Sequence, residues 1–322
     1  MPAEPLKGFA AIRGHQRVCD FLRAAVANDR LPHALLFAGA DGVGKRCVAL
    51  ALAAWRLCEG DADDDACAQC AACHQVAAGS HPDLHVLTIA SGKKEIGVDR
   101  ARDVKRFTQL RPLRGSVKIA VINDAHMLTV AAQNALLKTL EEPPEHSLLI
   151  LVANNPDALL PTVRSRCQRV QFTPLPPDAV IDILTHDHRL APAAAQQLAA
   201  LAEGSPGRAL ALSRCVAGTE SAPQLAGLAG ARYVDLVRLA NQIGLPEADT
   251  GMKLELFLSQ LRDAAVRGLG GGTDAATADA RSLRGTLLAA DLVHDAREAM
   301  RRGNPNRQLL LEALLLRLAR TE

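Results

Sequence analysis

The chain has 322 residues, enough for two or three domains with sizeable cores. A formal net charge of +2 gives no general electrostatic argument for nucleic-acid binding, and an aromatic content of 2% argues against a surface on which bases stack. The first residues lack the apolar segment of a secretory signal, and no uncharged run of about 18 apolar residues is present. We therefore expect a cytoplasmic protein without a membrane partner.

The first predicted elements surround a glycine-rich loop. Residues 14–27 carry apolar side chains at helical spacing, and the apolar run Ala34–Ala38 has the length of a strand. An alanine- and leucine-rich helix that ends near Leu57 follows the loop. This order is typical of a phosphate-binding P-loop, in which backbone N–H groups and a lysine face the anion. The candidate nucleotide-binding residues of the loop are Gly39, Gly42, Gly44, Lys45 and Arg46.

The residue after the loop lysine departs from the pattern of a working nucleotide site. P-loop proteins place Ser or Thr there because its hydroxyl ligates Mg²⁺. This chain has Arg46, which offers no oxygen to a metal. We therefore expect a nucleotide-binding fold that lacks the protein ligand for the metal. A tight strand-to-helix turn that binds nothing is the alternative.

Residues 58–82 lose periodicity and contain a cysteine cluster. The cluster consists of Cys58, Cys67, Cys70 and Cys73. Two-residue spacings let neighbouring thiolates face one tetrahedral ion, and four cysteines leave no open coordination position. The pattern therefore predicts one structural zinc ion, with His74 and His81 as reserve ligands. The alternative is a set of free thiols in a mobile acidic loop.

Strands and helices alternate after the cysteine cluster. Residues 98–110 have a helical pattern, and Thr129 caps a second helix that runs through Leu140. Apolar segments predict four further strands, at residues 84–89, 117–122, 147–153 and 168–172. Alternation of this kind predicts an α/β domain with a parallel sheet and helices on both of its faces.

The residues that follow the strand at residues 117–122 are a second departure from the sequence pattern of P-loop ATPases. P-loop ATPases use an Asp at this point to hold Mg²⁺ and a Glu to polarise the attacking water. Asn123 and Asp124 stand at these two places here. An amide is the weaker metal ligand, and the Asp side chain is about one methylene too short to reach the water. Together with Arg46 these residues argue against hydrolysis, although Asn-Asp is also a common turn pair.

Arginines cluster in the turn at residues 161–170, between the last two predicted strands. Arg164, Arg166 and Arg169 lie there. An arginine on a short rigid turn can be presented to a phosphate bound by another chain, where it stabilises the charge of phosphoryl transfer. A solvated basic turn fits the spacing equally well. Arg208 begins a later helix and is a weak candidate for the nucleotide pocket.

Every periodic segment after residue 173 is helical, and glycine-rich breaks separate these segments. We therefore predict three domains. An α/β domain at residues 1–173 contains the cysteine-rich insertion 58–82, a small helical lid occupies residues 174–215, and an all-helical domain occupies residues 216–322.

Several of these segments together resemble the bacterial clamp-loader family of AAA+ proteins. The resemblance rests on GADGVGK in the loop, on the four-cysteine insertion after the P-loop helix, on the string QNALLKTLEEPPEHSLLILVANNPDALLPTVRSRCQ and on GSPGRAL. It covers residues from about 8 to 215. The last domain matches the family only in its length and helical character.

The resemblance implies a fold and a set of site residues. The fold is a P-loop AAA+ domain with a zinc module, a helical lid and a helical collar that packs into a heteropentameric ring. Arg166, in the Ser-Arg-Cys motif, would complete the ATP site of an adjacent motor subunit, with Arg164 as its neighbour. The cysteines would hold the family's zinc. Asn154 lies near the family's nucleotide-sensing position after the fourth strand. Arg208 lies one residue after the position of the arginine in the family's second nucleotide sensor.

The resemblance is closest to the subunit type that does not hydrolyse ATP. It implies a non-catalytic subunit of a replicative DNA polymerase holoenzyme that binds neither ATP nor Mg²⁺ productively. Its partners would be the delta and gamma/tau subunits and, through the complex, the sliding clamp and primer-template DNA. One alternative is an ATP-hydrolysing motor subunit of the gamma/tau type, or a related AAA+ ATPase, in which Lys45 and Asp124 are catalytic. A zinc-dependent nucleic-acid-binding protein is disfavoured by the acidic residues within 59–65.

Overall fold

The computed structural model describes residues 8–60, 65–90, 93–217, 254, 288–296, 298–299 and 306–318. The chain divides into two compact units, Met1–Arg208 and Ala209–Glu322. The division into domains 1–173, 174–215 and 216–322 stays a prediction, and most of the third of these domains lies outside the described residues.

Five parallel strands form one sheet in the first unit. The strands are β1 (Ala34–Ala38), β2 (Leu84–Leu87), β3 (Lys118–Ile122), β4 (Ser147–Ala153) and β5 (Gln168–Gln171). Their order across the sheet is β2-β3-β4-β1-β5, and every paired neighbour is parallel. The predicted parallel sheet is therefore confirmed, and the strand bounds differ from the predicted ones by no more than two residues at either end.

Helices connect the strands and then continue alone. The first helices are α1 (Gln16–Ala27), α2 (Lys45–Leu57), α3 (Ala71–Ala77), α4 (Val98–Gln109) and α5 (Val130–Glu141). They are followed by α6 (Pro161–Arg164), α7 (Pro177–Asp182), α8 (Pro192–Leu201) and α9 (Pro206–Ala217). Helix α3, inside the cysteine-rich insertion, is absent from the sequence prediction, because a helix of 7 residues is too short to show a helical period.

Helices cover both faces of the sheet, as the sequence predicts. Successive side chains of β1 enter two different cores: Leu35 and Phe37 pack with α1 and α2, whereas Ala34 and Leu36 pack with α4 and α5. Every residue of β1 and of β3 is buried. Burial on both faces explains why these strands read as continuous apolar runs and do not alternate with polar residues.

The described residues of the second unit are mainly helical. Residues 288–296 and α10 (Arg307–Leu318) contribute apolar side chains to one core. Its fully or nearly buried members include Leu254, Val293, Leu311, Leu315 and Leu318. A collar role for this unit stays a prediction. Within the described part of the chain, no helix has the length and apolarity needed to cross a bilayer.

A buried ion pair lies at the amino end of the sheet. Asp83 is 0% exposed, Lys118 is 4% exposed, and Asp83 Oδ1 lies 3.0 Å from Lys118 Nζ. The carboxylate also accepts the backbone N–H groups of Leu113, Arg114 and Gly115 at 2.7, 2.8 and 3.0 Å. Burial raises the pKa of Asp83, but these N–H groups and Lys118 outweigh burial and hold the pKa well below its usual range.

We expect Asp83→Ala to lower the free energy of unfolding by roughly 3–5 kcal/mol, because Lys118 would be left buried without its counter-ion. Since the folded-state pKa of Asp83 is depressed, the stabilisation is present above the unfolded pKa of about 4 and is lost as the pH falls below it. Denaturant unfolding at pH 7 and at lower pH measures both effects. The control is Asp103→Ala, which breaks an exposed pair with Arg106. Similar losses in the two variants would contradict the prediction.

Candidate functional site

The candidate nucleotide loop lies at the carboxyl end of β1, where the sequence predicts it. Gly44 is the N-cap of α2, and Lys45 and Arg46 are the first residues of that helix. Gly39 and Gly42 have φ angles of +157° and +70°, which residues with a side chain rarely adopt. The local fold is therefore that of a P-loop, whose backbone N–H groups can meet an anion.

The loop lysine is turned onto the loop itself. Lys45 is 5% exposed, and its Nζ donates hydrogen bonds to the carbonyl oxygens of Gly39 and Ala40 at 2.7 and 2.6 Å. Burial lowers the pKa of Lys45, while the negative charges of Asp41 and Asp124 act in the opposite direction. The ammonium group that a phosphate would require is thus already bonded to two carbonyl oxygens of its own chain.

The segment before α9 is packed directly on the loop. Ser205 Oγ donates to the carbonyl oxygen of Asp41 at 2.8 Å, and the backbone N–H of Gly207 donates to the carbonyl oxygen of Gly42 at 2.9 Å. A β-carbon on Gly207 would lie 2.7 Å from Gly42 Cα, and one on Gly42 would lie 2.5 Å from Ser205 Oγ. The two backbones approach this closely because both positions are glycine.

His15 completes the hydrogen bonding of the loop. Its Nε2 lies 2.8 Å from the carbonyl oxygen of Val43 and donates to it, and its ring packs edge-on against Phe172. Burial lowers the pKa of His15, the bond to Val43 raises it, and Lys45 lowers it further, so the net pKa lies below its ordinary value. Each carbonyl from Gly39 to Val43 therefore accepts a hydrogen bond from within the chain.

The residues at the end of β3 are bonded to each other. Asn123 Nδ2 donates to Asp124 Oδ2 at 2.8 Å. Asp124 has a φ of +53° and precedes a short turn of helix at Ala125–Met127. Arg46 and Asn154 are exposed at the same edge of the sheet, since α2 begins there and β4 ends there. The structure thus brings the altered P-loop and strand-end residues to one edge without a carboxylate at the position of the metal-binding Asp.

Arg166 lies in the turn between α6 and β5 and is held at both of its terminal nitrogens. Its Nη2 is 2.8 Å from Glu141 Oε1, and its Nη1 donates to the carbonyl oxygen of Thr162 at 2.9 Å and to Ser165 Oγ at 3.4 Å. About a third of its side chain, 35%, is exposed. The other candidate arginines also pair within the chain: Arg164 with Asp157, Arg169 with Gln171, and Arg208 with Glu203.

The topology separates Arg166 from the chain's own loop. Strands β1 and β5 are parallel neighbours, with Leu35 opposite Gln168 and Ala38 opposite Gln171. The P-loop follows the carboxyl end of β1, whereas Arg166 precedes the amino end of β5. The paired residues between them correspond to about 13 Å at the rise of a parallel strand. Arg166 therefore lies at the edge of the sheet opposite the one that carries the P-loop.

The four clustered cysteines form the group predicted from their spacing. The cluster of Cys58, Cys67, Cys70 and Cys73 has all of its Sγ atoms within 4.8 Å of one another. Two of the Sγ–Sγ distances are 3.9 and 4.0 Å. A zinc ion with four Zn–S bonds of about 2.3 Å has sulfurs about 3.8 Å apart, so the sulfur positions fit a tetrahedral zinc ion. His74 and His81 are not part of the group.

Backbone N–H groups surround the sulfurs and lower the pKa of Cys67 and Cys70, whereas burial raises the pKa of Cys58 and Cys73. Cys70 N donates to Cys67 Sγ at 3.3 Å, and Cys73 N donates to Cys70 Sγ at 3.4 Å. Burial raises the pKa of Cys70, but the backbone N–H of Cys73 and of Glu59 and the neighbouring thiols outweigh it and lower the pKa to about 6. Because thiolates are the metal-binding form, this environment suits a cation.

The cysteine-rich insertion is fastened to the rest of the first unit at two places. Asp65 accepts the backbone N–H groups of Phe9 and Ala10 at 2.8 and 2.7 Å. Arg114 Nη2 lies 3.0 Å from Glu59 Oε2, and Arg114 lies within the turn that Asp83 organises. The insertion therefore holds the segment before α1 and the loop before β3.

Sequence reasoning did not identify four residues of this arrangement: His15, Glu141, Ser205 and Asp65. His15 and Ser205 are 28 and 164 residues from the carbonyls that they bind, and local spacing carries no signal for such contacts. Asp65 belongs to an acidic stretch that the sequence presents as a loop. Glu141 stands inside the LEEPP string that supports the family resemblance, and that string was the only available signal.

Comparison with known proteins agrees with the sequence resemblance. The family described as "DNA polymerase III, delta subunit" matches residues 14–176. The DNA polymerase III subunit delta' of Pseudomonas aeruginosa is 42% identical over 176 residues, which are 54% of this chain and 53% of that protein. The subunit delta' of Escherichia coli K12 is 37% identical over 180 residues, which are 56% of this chain and 54% of that protein.

These alignments span about half the length of the two relatives. A longer alignment exists with the DNA polymerase III subunit delta' of Yersinia pestis, which is 32% identical over 305 residues, 88% of either chain. The matched region includes the P-loop, the cysteine cluster and the Arg166 turn. The chain belongs to the delta-subunit family of DNA polymerase III, within the clamp-loader AAA+ proteins, and is close to delta-prime.

Proposed function

We propose that this chain is a delta-prime-type subunit of the DNA polymerase III clamp loader that does not hydrolyse ATP. It acts in the cytoplasm, within a heteropentameric ring that also contains the delta and gamma/tau subunits, and helps to place the sliding clamp on primer-template DNA. It has no ATPase activity of its own and serves as a non-catalytic part of the polymerase holoenzyme.

The observation that carries this proposal is the internal hydrogen bonding of the P-loop. Lys45 donates to the carbonyl oxygens of Gly39 and Ala40, and Ser205 and Gly207 bind the next two carbonyls. In a hydrolysing site the lysine must instead meet the β- and γ-phosphates. A loop that is satisfied internally keeps its fold without nucleotide, as a fixed part of a ring requires.

The metal-binding positions support the same proposal. A working site holds Mg²⁺ with a hydroxyl after the lysine and an Asp at the strand end. Arg46 supplies no oxygen, and Asn123 supplies an amide whose nitrogen is bonded to Asp124. Without those ligands the protein does not hold Mg²⁺ in place beside the phosphates, so the developing charge of the transition state is less well neutralised.

Arg166 is proposed to act in trans. Its position at the amino edge of the sheet, opposite its own P-loop, favours contact with ATP bound by a neighbouring motor subunit. A guanidinium at that place stabilises the charge that develops on the transferred phosphoryl group. Arg164 lies two residues earlier and pairs with Asp157, so we assign it a supporting role.

The cysteine cluster is proposed to hold one structural zinc ion through Cys58, Cys67, Cys70 and Cys73. Zinc supplies a cross-link in place of a core that the short insertion lacks, and four cysteine ligands leave no position for catalysis. The insertion then holds the segment at Phe9–Ala10 through Asp65.

A hydrolysing motor subunit is the alternative, and the isolated chain discriminates between the two. We expect no binding of Mg·ATP in calorimetry at millimolar nucleotide and no turnover above background. The matched control is Lys45→Ala, which should behave like the unmodified chain in both assays. Magnesium-dependent turnover that Lys45→Ala abolishes would contradict the proposal and favour the motor subunit.

A further inference from the structure

We infer that Glu141 is a positioning residue for Arg166: its carboxylate fixes the guanidinium in the orientation in which it is offered to a phosphate on another chain. The inference rests on the proposed trans role of Arg166. It assigns a role to the last residue of α5, and that helix carries neither the P-loop nor the arginine.

The arginine is held from two directions. Glu141 Oε1 contacts Nη2 at 2.8 Å from the end of α5. Thr162 and Ser165, on α6 and the turn after it, accept hydrogen bonds from Nη1 at 2.9 and 3.4 Å. An arginine side chain has many rotamers, so binding a ligand to an unrestrained arginine costs the conformational entropy of that side chain. Because Nη1 and Nη2 of Arg166 are already hydrogen-bonded before the phosphate binds, part of this entropy cost is removed.

Glu141 is itself attached to a rigid support. Its neighbour Leu140 is 2% exposed and packs in the core between the sheet and α4 and α5. The carbonyl oxygen of Leu140 lies 3.1 Å from His33 Nε2, immediately before β1. Pro143 and Pro144 follow, and proline restricts the backbone as the helix ends. The backbone that carries the Glu141 side chain is therefore fixed, and its carboxylate can hold the Arg166 guanidinium in one orientation.

A carboxylate beside the arginine could act in the opposite sense, by competing with the phosphate. The exposure of the pair argues against a large effect of that kind. The side chains of Arg166 and Glu141 are 35% and 47% exposed, so water and salt screen the charge of the carboxylate. Water and salt do not remove the effect of Glu141 on the orientation of the Arg166 side chain. We therefore expect the loss of Glu141 to slow the neighbouring site and not to accelerate it.

The test uses the complete clamp-loader complex with clamp and primed DNA. We expect Glu141→Ala to lower kcat for DNA-stimulated ATP hydrolysis roughly twofold to fivefold, the range that a half-exposed ion pair supports. KM for ATP should not change. Glu141→Gln should retain more than half of the unmodified rate, because its amide oxygen can accept the same hydrogen bond. The control is Glu142→Ala; in the described part of the chain Glu142 forms no ion pair.

A double variant separates positioning from a general structural effect. Glu141→Ala should cause no further loss in a complex that already carries Arg166→Ala. Unchanged or increased kcat in Glu141→Ala, a further loss in the double variant, or failure of Glu141→Gln to restore the rate would each overturn the inference. If Arg166→Ala itself leaves the rate unchanged, the proposed trans role fails, and the role of Glu141 fails with it. If Arg166→Ala lowers the rate and Glu141→Ala does not, only the positioning role fails.

Discussion

Replacing Arg166 with alanine is expected to reduce DNA-stimulated ATP hydrolysis and clamp loading by the assembled complex by at least about tenfold. An arginine finger contributes a factor of roughly 10³–10⁵ to the site that it completes. The proposed ring would contain further motor sites, so the loss measured on the whole complex should be smaller. Steady-state hydrolysis and a fluorescence assay of clamp placement measure the two effects separately.

The control for Arg166→Ala is Arg169→Ala. Arg169 belongs to the same basic turn, lies in β5 and is exposed, but its guanidinium is bonded to Gln171 on its own strand. We expect this variant to load clamps at the unmodified rate. Both variants should assemble into the ring and melt at the temperature of the unmodified chain, because Arg166 makes only half-exposed contacts. Normal loading by Arg166→Ala would end the case for a trans finger.

The predictable part of the fold is the part encoded locally. Strand β1 is a continuous apolar run of strand length, helix α2 follows as an alanine- and leucine-rich helical segment, and the glycine-rich loop between them has a defined chemistry. Thr129 was identified as an N-cap from its position alone, and its side chain accepts the backbone N–H of Ala132. Parallel strands follow from the alternation of strands and helices, because each crossover needs room for a helix.

The contacts that decide the state of the candidate site are not local. Ser205 and Gly207 reach the P-loop across more than 160 residues. In the sequence, Gly42 is explained by the P-loop and Gly207 by a glycine-rich break, so neither predicts that they meet. Asp83 organises the turn at residues 113–115 and pairs with Lys118 in the same way. The spacing of residues in the sequence predicts which residue types could form a site, whereas the fold determines which of them come into contact.

The altered P-loop acquires a physical meaning from these contacts. Arg46 and Asn123 stand where metal ligands are expected, which would account for the proposed lack of hydrolysis but not for the shape of the loop. The bonds from Ser205 and Gly207 to the loop explain its shape, because they fix the start of α9 on the loop. We infer that the loop serves as a contact surface for the start of α9 within the first unit.

Loss of the metal from the cysteine cluster is expected to change the segment before α1 as well as the insertion. Protein prepared without chelator should contain about one zinc ion per chain. Cys70→Ser should abolish that binding and markedly lower the melting temperature, since the ion replaces a core that the insertion lacks. The backbone N–H groups of Phe9 and Ala10 donate to Asp65, so their hydrogen exchange should accelerate when the insertion loosens.

The matched control for Cys70→Ser is Cys47→Ser, which changes an exposed cysteine outside the cluster. That variant should keep its zinc, its melting temperature and the slow exchange of Phe9 and Ala10. The buried pair of Asp83 and Lys118 lies in the sheet domain and does not depend on the cysteines, so the amides of β3 should remain protected in Cys70→Ser. If Cys70→Ser retained its zinc, or lost it without faster exchange at Phe9 and Ala10, the cluster would not be the metal site or would not support that segment.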